Sequence, residues 1–209
     1  NTIPVTVDEL IPLTRAVVNS TSRAMVVADF PFGSYESGPD AALATGIRFF
    51  KEAKAHAVKL EGGKRVVPQI KKLIESGIPV MGHLGLTPQS VHALGGFKVQ
   101  GRGDDAARII EDAKALKAAG VFALVLELVP AELAEQITAE LSIPVIGIGA
   151  GAKCDAQVLV WTDLMGITKN APKLAKAYRN LRIEMLNAAK EYANDVSSGQ
   201  FPGPEQTFH

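Results

Sequence analysis

The stretch "AVKLEGG", from Ala57 to Gly63, is an apolar, strand-like segment that ends in two charged side chains and two glycines. Lys59 and Glu61 are two residues apart, so on a β-strand they lie on the same face. Charges in an apolar setting cost free energy unless they have partners. The stretch therefore predicts a buried strand whose end carries either a structural ion pair or part of a functional site.

Similar apolar segments recur along the chain and alternate with helical patterns. In order they are "AMVVAD" (24–29), "HAVKLE" (56–61), "PVMGH" (79–83), "FALVLE" (122–127), "PVIGIG" (144–149) and "QVLVW" (157–161). Strands that are apolar throughout are buried on both faces, as parallel strands are. The alternation therefore predicts an α/β fold with a parallel sheet.

The intervening helices have recognisable ends. Thr6 and Glu9 fit a capping box at the first helix, Asp40 is a candidate cap for the second, and Gly120 stops the helix predicted over 106–119. Further helices are predicted over 64–76, from Pro130 onward, and over 172–198.

The composition shows no break, so we predict one domain over residues 1–209. Alternating strands and helices form either an open doubly wound sheet or a (β/α)8 TIM barrel. A closed barrel has eight strands over about 250 residues, whereas six strands are counted here and the chain opens on a helix. We expect a barrel that is N-terminally incomplete, its first two strands absent from the sequence, and keep the open six-stranded sheet as the alternative.

The composition limits the kinds of partner that the chain is expected to bind. Lysine plus arginine equals aspartate plus glutamate, 22 each, so charge gives no argument for nucleic acid or an anionic membrane. Cys154 is the single cysteine and lacks the spaced Cys/His set of a zinc site. The longest apolar run, 121–130, is interrupted by Glu127 and is too short to span a bilayer. We expect a cytoplasmic protein that binds neither nucleic acid nor membrane.

Polar side chains terminate four of the predicted strands: Asp29, then Lys59 and Glu61, then His83, then Glu127. Each alone has an ordinary structural explanation, as a turn residue, an ion pair or a solvated charge. Together they occupy the carboxyl ends of strands, where (β/α) barrels place catalytic groups.

The residue types favour one chemistry. Two carboxylates from adjacent strands, without thiolates, suit Mg²⁺, and a nearby lysine suits an anionic substrate. A glutamate embedded in an apolar strand, with a raised pKa, suits a general base. This set is typical of enolisation of a keto acid. The long segment 84–104, with several glycines, predicts a mobile binding loop or a flexible connection.

Seven segments resemble the ketopantoate hydroxymethyltransferase family along essentially the whole chain. They are "VADFPFGSY" (27–35), "VKLEGG" (58–63), "GHLGLTPQS" (82–90), "GGFKVQGRG" (95–103), "LELVP" (126–130), "IPVIGIGAG" (143–151) and "FPGPEQTFH" (201–209). The resemblance implies a (β/α)8 barrel of the phosphoenolpyruvate/pyruvate superfamily and assembly as a homodecamer. It implies transfer of a hydroxymethyl group from 5,10-methylenetetrahydrofolate to 3-methyl-2-oxobutanoate, giving 2-dehydropantoate for pantothenate biosynthesis.

The same resemblance implies roles for the strand-end residues. Asp29 and Glu61 match magnesium ligands, Asp29 and Lys59 match substrate-binding positions, and Glu127 matches the proton acceptor. His83 matches a histidine of the active-site region, and we assign it to substrate binding.

The sequence also departs from the family pattern. The family has an earlier strand ending in Gly-Asp-Ser, which supplies a third metal ligand, and this sequence has no counterpart before Thr2–Thr6. Ala156 stands where glycine is expected. Two alternatives therefore remain at this point: an inactive or structural barrel fragment, and a superfamily lyase that cleaves carbon–carbon bonds, although Cys154 is not in the context of a lyase loop.

Overall fold

The computed structural model describes residues 2–208, which separate into two compact units. The first unit extends to Val158 and contains α1 (Val7–Ser20), β1 (Val27–Asp29), α2 (Pro39–Arg48), β2 (Ala57–Glu61), α3 (Val67–Glu75), β3 (Val80–Gly85), α4 (Asp105–Ala119), β4 (Ala123–Glu127), α5 (Ala131–Glu140), β5 (Val145–Ile148) and β6 (Ala156–Gln157). The second unit begins at Leu159 and contains α6 (Trp161–Leu164) and α7 (Leu181–Ser198). A single domain over the whole chain stays a prediction.

In the described residues, six strands form one parallel sheet whose spatial order is their chain order, β1 to β6. Helices α2 to α5 also contact one another in chain order. A doubly wound sheet has a point where the strand order reverses, and this sheet has none. The observed architecture is therefore a curled, parallel half-barrel, which rules out the open doubly wound alternative.

The two faces of this sheet have different neighbours. Val58, Leu60, Leu124 and Leu126 are fully buried. A Cβ placed on Gly82, which pairs with Leu124, would lie 2.9 Å from a methyl of Leu116 in α4. This face therefore packs on the helices, and the alternate strand residues point to the opposite, inner face of the sheet.

Several sequence predictions about helix ends are confirmed, and one is wrong. Thr6 and Glu9 form the capping box of α1, with Glu9 N donating to Thr6 Oγ1 at 3.2 Å and Thr6 N to Glu9 Oε2 at 2.8 Å. Gly120 ends α4 in the left-handed conformation. Asp40 does not cap α2, because Gly38 occupies the N-cap position and Asp40 lies inside the first turn.

The C-terminal part departs further from the predictions. "QVLVW" contributes only Gln157 to a strand: the last ladder bond runs from Val158 N to Gly147 O, and Val160 already caps α6. The helix predicted over 172–198 begins at Leu181. The preceding segment instead bonds back to the end of α6, where Tyr178 N donates to Leu164 O and Leu181 N to Met165 O.

No helix in the part of the chain that the structure describes is long and apolar enough to cross a membrane.

A substitution at Gly85, at the end of β3, can test how tightly the ends of β3 and β4 are packed. Its φ is +90°, and an added Cβ would lie 2.1 Å from the carbonyl oxygen of Glu127. Gly77 is a matched control, because its φ is +83° but no atom lies within 4 Å of an added Cβ. Gly77→Ala should lose about 1–2 kcal/mol of unfolding free energy through the left-handed backbone alone.

Gly85→Ala should lose a further ~1–3 kcal/mol, because the crowded β3 and β4 ends must separate. Urea unfolding of both variants measures the difference. Equal losses would show that the β3 and β4 ends yield freely at this point.

Candidate active site

The five strand-end residues form one continuous cluster, with Lys59 at its centre. The Lys59 Nζ atom lies 2.7 Å from Asp29 Oδ1, 3.2 Å from His83 Nδ1 and 3.9 Å from Glu61 Oε1. The His83 ring continues the cluster, since its Nε2 lies 3.3 Å from Glu127 Oε2. The structure thus brings together all the residues that the strand ends predicted.

Strand register explains why these side chains meet. Asp29 pairs with Lys59, Glu61 pairs with His83, and Gly85 pairs with Glu127. Paired residues lie on one face of a sheet, and so do residues two apart on one strand. Applied from β1 to β4, these two rules place all five side chains on the inner face, opposite the helices.

Burial and unequal charge set the electrostatics. The cluster holds three carboxyl groups and one ammonium: Asp29 and Glu61 lie within 4 Å of Lys59 Nζ, whereas Glu127 contacts His83. Glu61 is only 2% exposed. Burial raises the pKa of Glu61 to about 7, although the Lys59 charge pulls it down. Burial likewise raises the pKa of Glu127 to about 7, against the same pull from Lys59. The carboxyl groups of Glu61 and Glu127 therefore each gain or lose a proton near neutral pH.

His83 is neutral in this environment. Burial, reinforced by the Lys59 charge, holds its pKa well below the ordinary value. An ammonium group only donates hydrogen bonds, so Nδ1 must accept from Lys59 and the ring proton resides on Nε2. Among residues 2–208, this buried Nε2 has no hydrogen-bond partner of good geometry. It is a polar group available to a bound molecule.

Two uncharged residues also belong to the site, and the search for strand-end charges missed them. Gln89 N donates to Glu61 Oε2 at 3.0 Å, and Glu61 N donates to the Tyr35 hydroxyl at 3.2 Å. Both lie in loops that follow strands, Tyr35 after β1 and Gln89 after β3. Their positions inside "VADFPFGSY" and "GHLGLTPQS" are the signal that could have identified them.

The donor set at Asp29 and Glu61 consists of carboxylate oxygens. No group of three or more His, Cys, Asp or Glu side chains is arranged to hold a metal ion within residues 2–208. Mg²⁺ typically takes only one or two carboxylates and fills its other positions with water and substrate oxygens. Burial raises the pKa of Glu61, and a cation beside it would favour the ionised form of its carboxylate. Asp29 and Glu61 therefore fit a hard divalent cation as an incomplete ligand set.

The loop after β3 forms a cavity beside Gln89. The loop contains a 3-10 turn at Pro88–Ser90. The cavity has a volume of about 570 Å³, and its lining includes Pro88, Val91, His92 and Phe97. Phe97 is 72% exposed. The mobility of this loop stays a prediction.

A parallel half-barrel that carries acidic and basic side chains at its strand ends is typical of barrel-type α/β enzymes, and the chain belongs to that class. Solved structures agree on the fold. A 2,3-dimethylmalate lyase of the PEP mutase/isocitrate lyase superfamily aligns over 98% of this chain and 72% of its own, with a TM-score of 0.52 at 12% identity. A putative lyase/mutase from Burkholderia cenocepacia J2315 aligns over 98% and 73%, with a TM-score of 0.54 at 15% identity.

Sequence comparison identifies the family. The family model described as ketopantoate hydroxymethyltransferase matches residues 1–204, so the chain belongs to that family. Among curated relatives, the 3-methyl-2-oxobutanoate hydroxymethyltransferase of Nocardioides sp. is 58% identical over 99% of this chain and 70% of its own length. That of Leifsonia xyli subsp. xyli is 57% identical over 99% and 75%. The chain is thus a hydroxymethyltransferase, and its likeness to lyases is one of fold.

The raised carboxyl pKa values predict how stability depends on pH without added metal. A group whose pKa is raised from 4.5 to about 7 on folding stabilises the fold below pH 4.5, and this stability is lost as pH rises through 7. Glu127→Gln should therefore lose less stability than wild type between pH 4.5 and 7. The difference should be at most about 3 kcal/mol.

Urea unfolding in EDTA at a series of pH values measures this difference. Glu75→Gln, an exposed glutamate at the end of α3, is the control for removing one charge. Parallel pH profiles for wild type and Glu127→Gln would contradict the raised pKa of Glu127.

Proposed function

We propose that the chain transfers a hydroxymethyl group from 5,10-methylenetetrahydrofolate to 3-methyl-2-oxobutanoate, giving 2-dehydropantoate in the first step of pantothenate biosynthesis. The observation that carries this proposal is the pairing of Glu127, with a pKa of about 7, with a neutral His83 beside Lys59. The names of the curated relatives support the choice of keto acid.

In the proposed reaction, Lys59 holds the carboxylate of the keto acid as a charge-assisted partner. Glu127 takes the proton from C3, and the C–H electron pair becomes the C2–C3 double bond of the enolate. A base with a pKa near the working pH is well suited to this step. The protonated Nε2 of His83 is placed to donate to a substrate oxygen.

The second half forms the new carbon–carbon bond. The C2–C3 π electron pair of the enolate forms the new bond to the one-carbon unit of the folate, and an electron pair of the enolate oxygen restores the C2 carbonyl. The bond from the one-carbon unit to the folate nitrogen then breaks, and that nitrogen keeps the electron pair and takes a proton. A water molecule supplies this proton and the hydroxyl group. Asp29 and Glu61 would hold Mg²⁺, which when bound polarises the C2 carbonyl as a Lewis acid.

The complete barrel, the assembly and the location of the protein are part of the same proposal. We propose that the half-barrel represents consecutive strands of a (β/α)8 barrel, in a single domain that assembles as a cytoplasmic homodecamer. The chain order of the parallel strands supports the barrel, the resemblance of the motifs supports the homodecamer, and the single cysteine fits a reducing compartment.

Deuterium exchange at C3 of 3-methyl-2-oxobutanoate, without folate, isolates the proton transfer. Wild type with Mg²⁺ should exchange this proton, and Glu127→Gln should do so about 10²–10⁴-fold more slowly, because the general base is lost. NMR in D₂O follows the C3 signal, and Glu132→Gln, an exposed glutamate of α5, is the control.

Chelation tests the metal role separately. EDTA should suppress exchange by wild type, and Mg²⁺ should restore it. Unchanged exchange in Glu127→Gln would disprove the base assignment, and unchanged exchange after chelation would disprove the metal role. A wild-type chain without exchange would favour the inactive-fragment alternative.

A further inference from the structure

Three buried, uncharged contacts join the ends of β1 and β2 to the loop after β3. We propose that Gln89 and Tyr35 are positioning residues that fix the orientation of the Glu61 carboxylate toward Lys59 and His83. This inference rests on the proposed function, because that function gives Glu61 its role.

The hydrogen bonds of Gln89 have only one consistent assignment. Its Nε2 donates to the backbone carbonyl of Phe30 at 2.6 Å, and a carbonyl can only accept. The amide oxygen, Oε1, must therefore face the Tyr35 hydroxyl, which lies 2.8 Å away. Because the amide oxygen has no proton, the hydroxyl donates to it.

That assignment also determines the remaining bond of Tyr35. Its single hydroxyl proton goes to Gln89 Oε1 at 2.8 Å rather than to the Glu61 carbonyl oxygen at 3.3 Å, and its oxygen accepts the backbone N–H of Glu61 at 3.2 Å. Tyr35 is 1% exposed and Gln89 is 8% exposed. Buried bonds of this kind are costly to break, because the groups left behind lose water as an alternative partner.

The two carboxylate oxygens of Glu61 therefore have different neighbours. Gln89 N donates to Oε2 at 3.0 Å. This leaves Oε1 facing the other side, 3.7 Å from His83 Nδ1 and 3.9 Å from Lys59 Nζ. Since Phe30 directly follows Asp29, Gln89 also links the end of β1, which its side chain contacts, to the Glu61 carboxylate, which its backbone N–H contacts.

Gln69 provides a matched comparison in the same region. It has the same side chain and is 7% exposed. Its Nε2 contacts the backbone carbonyl of Tyr35 at 3.4 Å, and among the described residues its Oε1 has no partner. Gln69 thus shares the burial and the tyrosine neighbour but not the contact with Glu61.

The experiment compares Gln89→Met, Tyr35→Phe and Gln69→Met in the full chain. Mn²⁺ binding is measured by electron paramagnetic resonance, with Glu61→Gln as the reference for a lost ligand. C3 exchange of the keto acid is measured over a range of keto acid concentrations. Urea unfolding establishes that each variant is folded.

Partners that orient a metal ligand typically affect metal affinity or activity by ~10–100-fold. Gln89→Met and Tyr35→Phe should weaken Mn²⁺ binding to this extent and lower the maximal exchange rate more than they change the half-saturating keto acid concentration. Gln69→Met should match wild type in both readouts. A merely structural role would lower the unfolding free energy while leaving Mn²⁺ affinity unchanged.

Mn²⁺ affinity and exchange in Gln89→Met and Tyr35→Phe equal to those of Gln69→Met would overturn the positioning role. If Gln89→Met does not fold, Tyr35→Phe decides the question alone. Failure of the proposed function looks different: wild type and Glu61→Gln would then bind Mn²⁺ equally, and wild type would show no exchange.

Discussion

The site depends on one partly buried ammonium group, that of Lys59, which contacts two carboxylates and a histidine. Lys59 contacts Asp29 directly and lies within 4 Å of both Glu61 and His83. Removing the Lys59 charge would leave the buried Glu61 carboxylate without its nearest cation, which is destabilising. Burial, and less strongly the neighbouring carboxylates, raises the pKa values of Glu61 and Glu127 to about 7 despite the Lys59 charge. The cluster holds three carboxyl groups against one lysine, an arrangement that favours a further cation.

The backbone makes this arrangement possible. Parallel register places the acidic and basic side chains of β1 to β4 on the inner face, while Leu60, Leu124 and their neighbours hold the other face against the helices. Gly85 lets β3 and β4 approach closely where Glu127 ends its strand. The uncharged pair Gln89 and Tyr35 then orients Glu61 from the side away from Lys59.

Much of this could be predicted from the sequence. Apolar strands ending in charged residues identified β1 to β4, and the same alternation placed Lys59 and Glu61 on one face. Tyr35 and Gln89 could not be found in this way, because their bonds join residues 26 to 59 positions apart and depend on tertiary packing. The strand predicted over "QVLVW" was also wrong, because tertiary context overrode the local preference of its residues. Its β-branched residues favour a strand, but Val160 begins a helix instead.

Burial of the strand-end cluster raises the pKa of Glu127 to about 7, while the Lys59 charge opposes this rise. Carboxyl ¹³C chemical shifts of Glu127, followed by NMR against pH in metal-free solution, measure this directly. The titration midpoint should be about 7 in wild type and higher in Lys59→Met, which lacks the opposing charge. A wild-type midpoint near the ordinary value of 4.5, or a midpoint that Lys59→Met leaves unmoved, would contradict it.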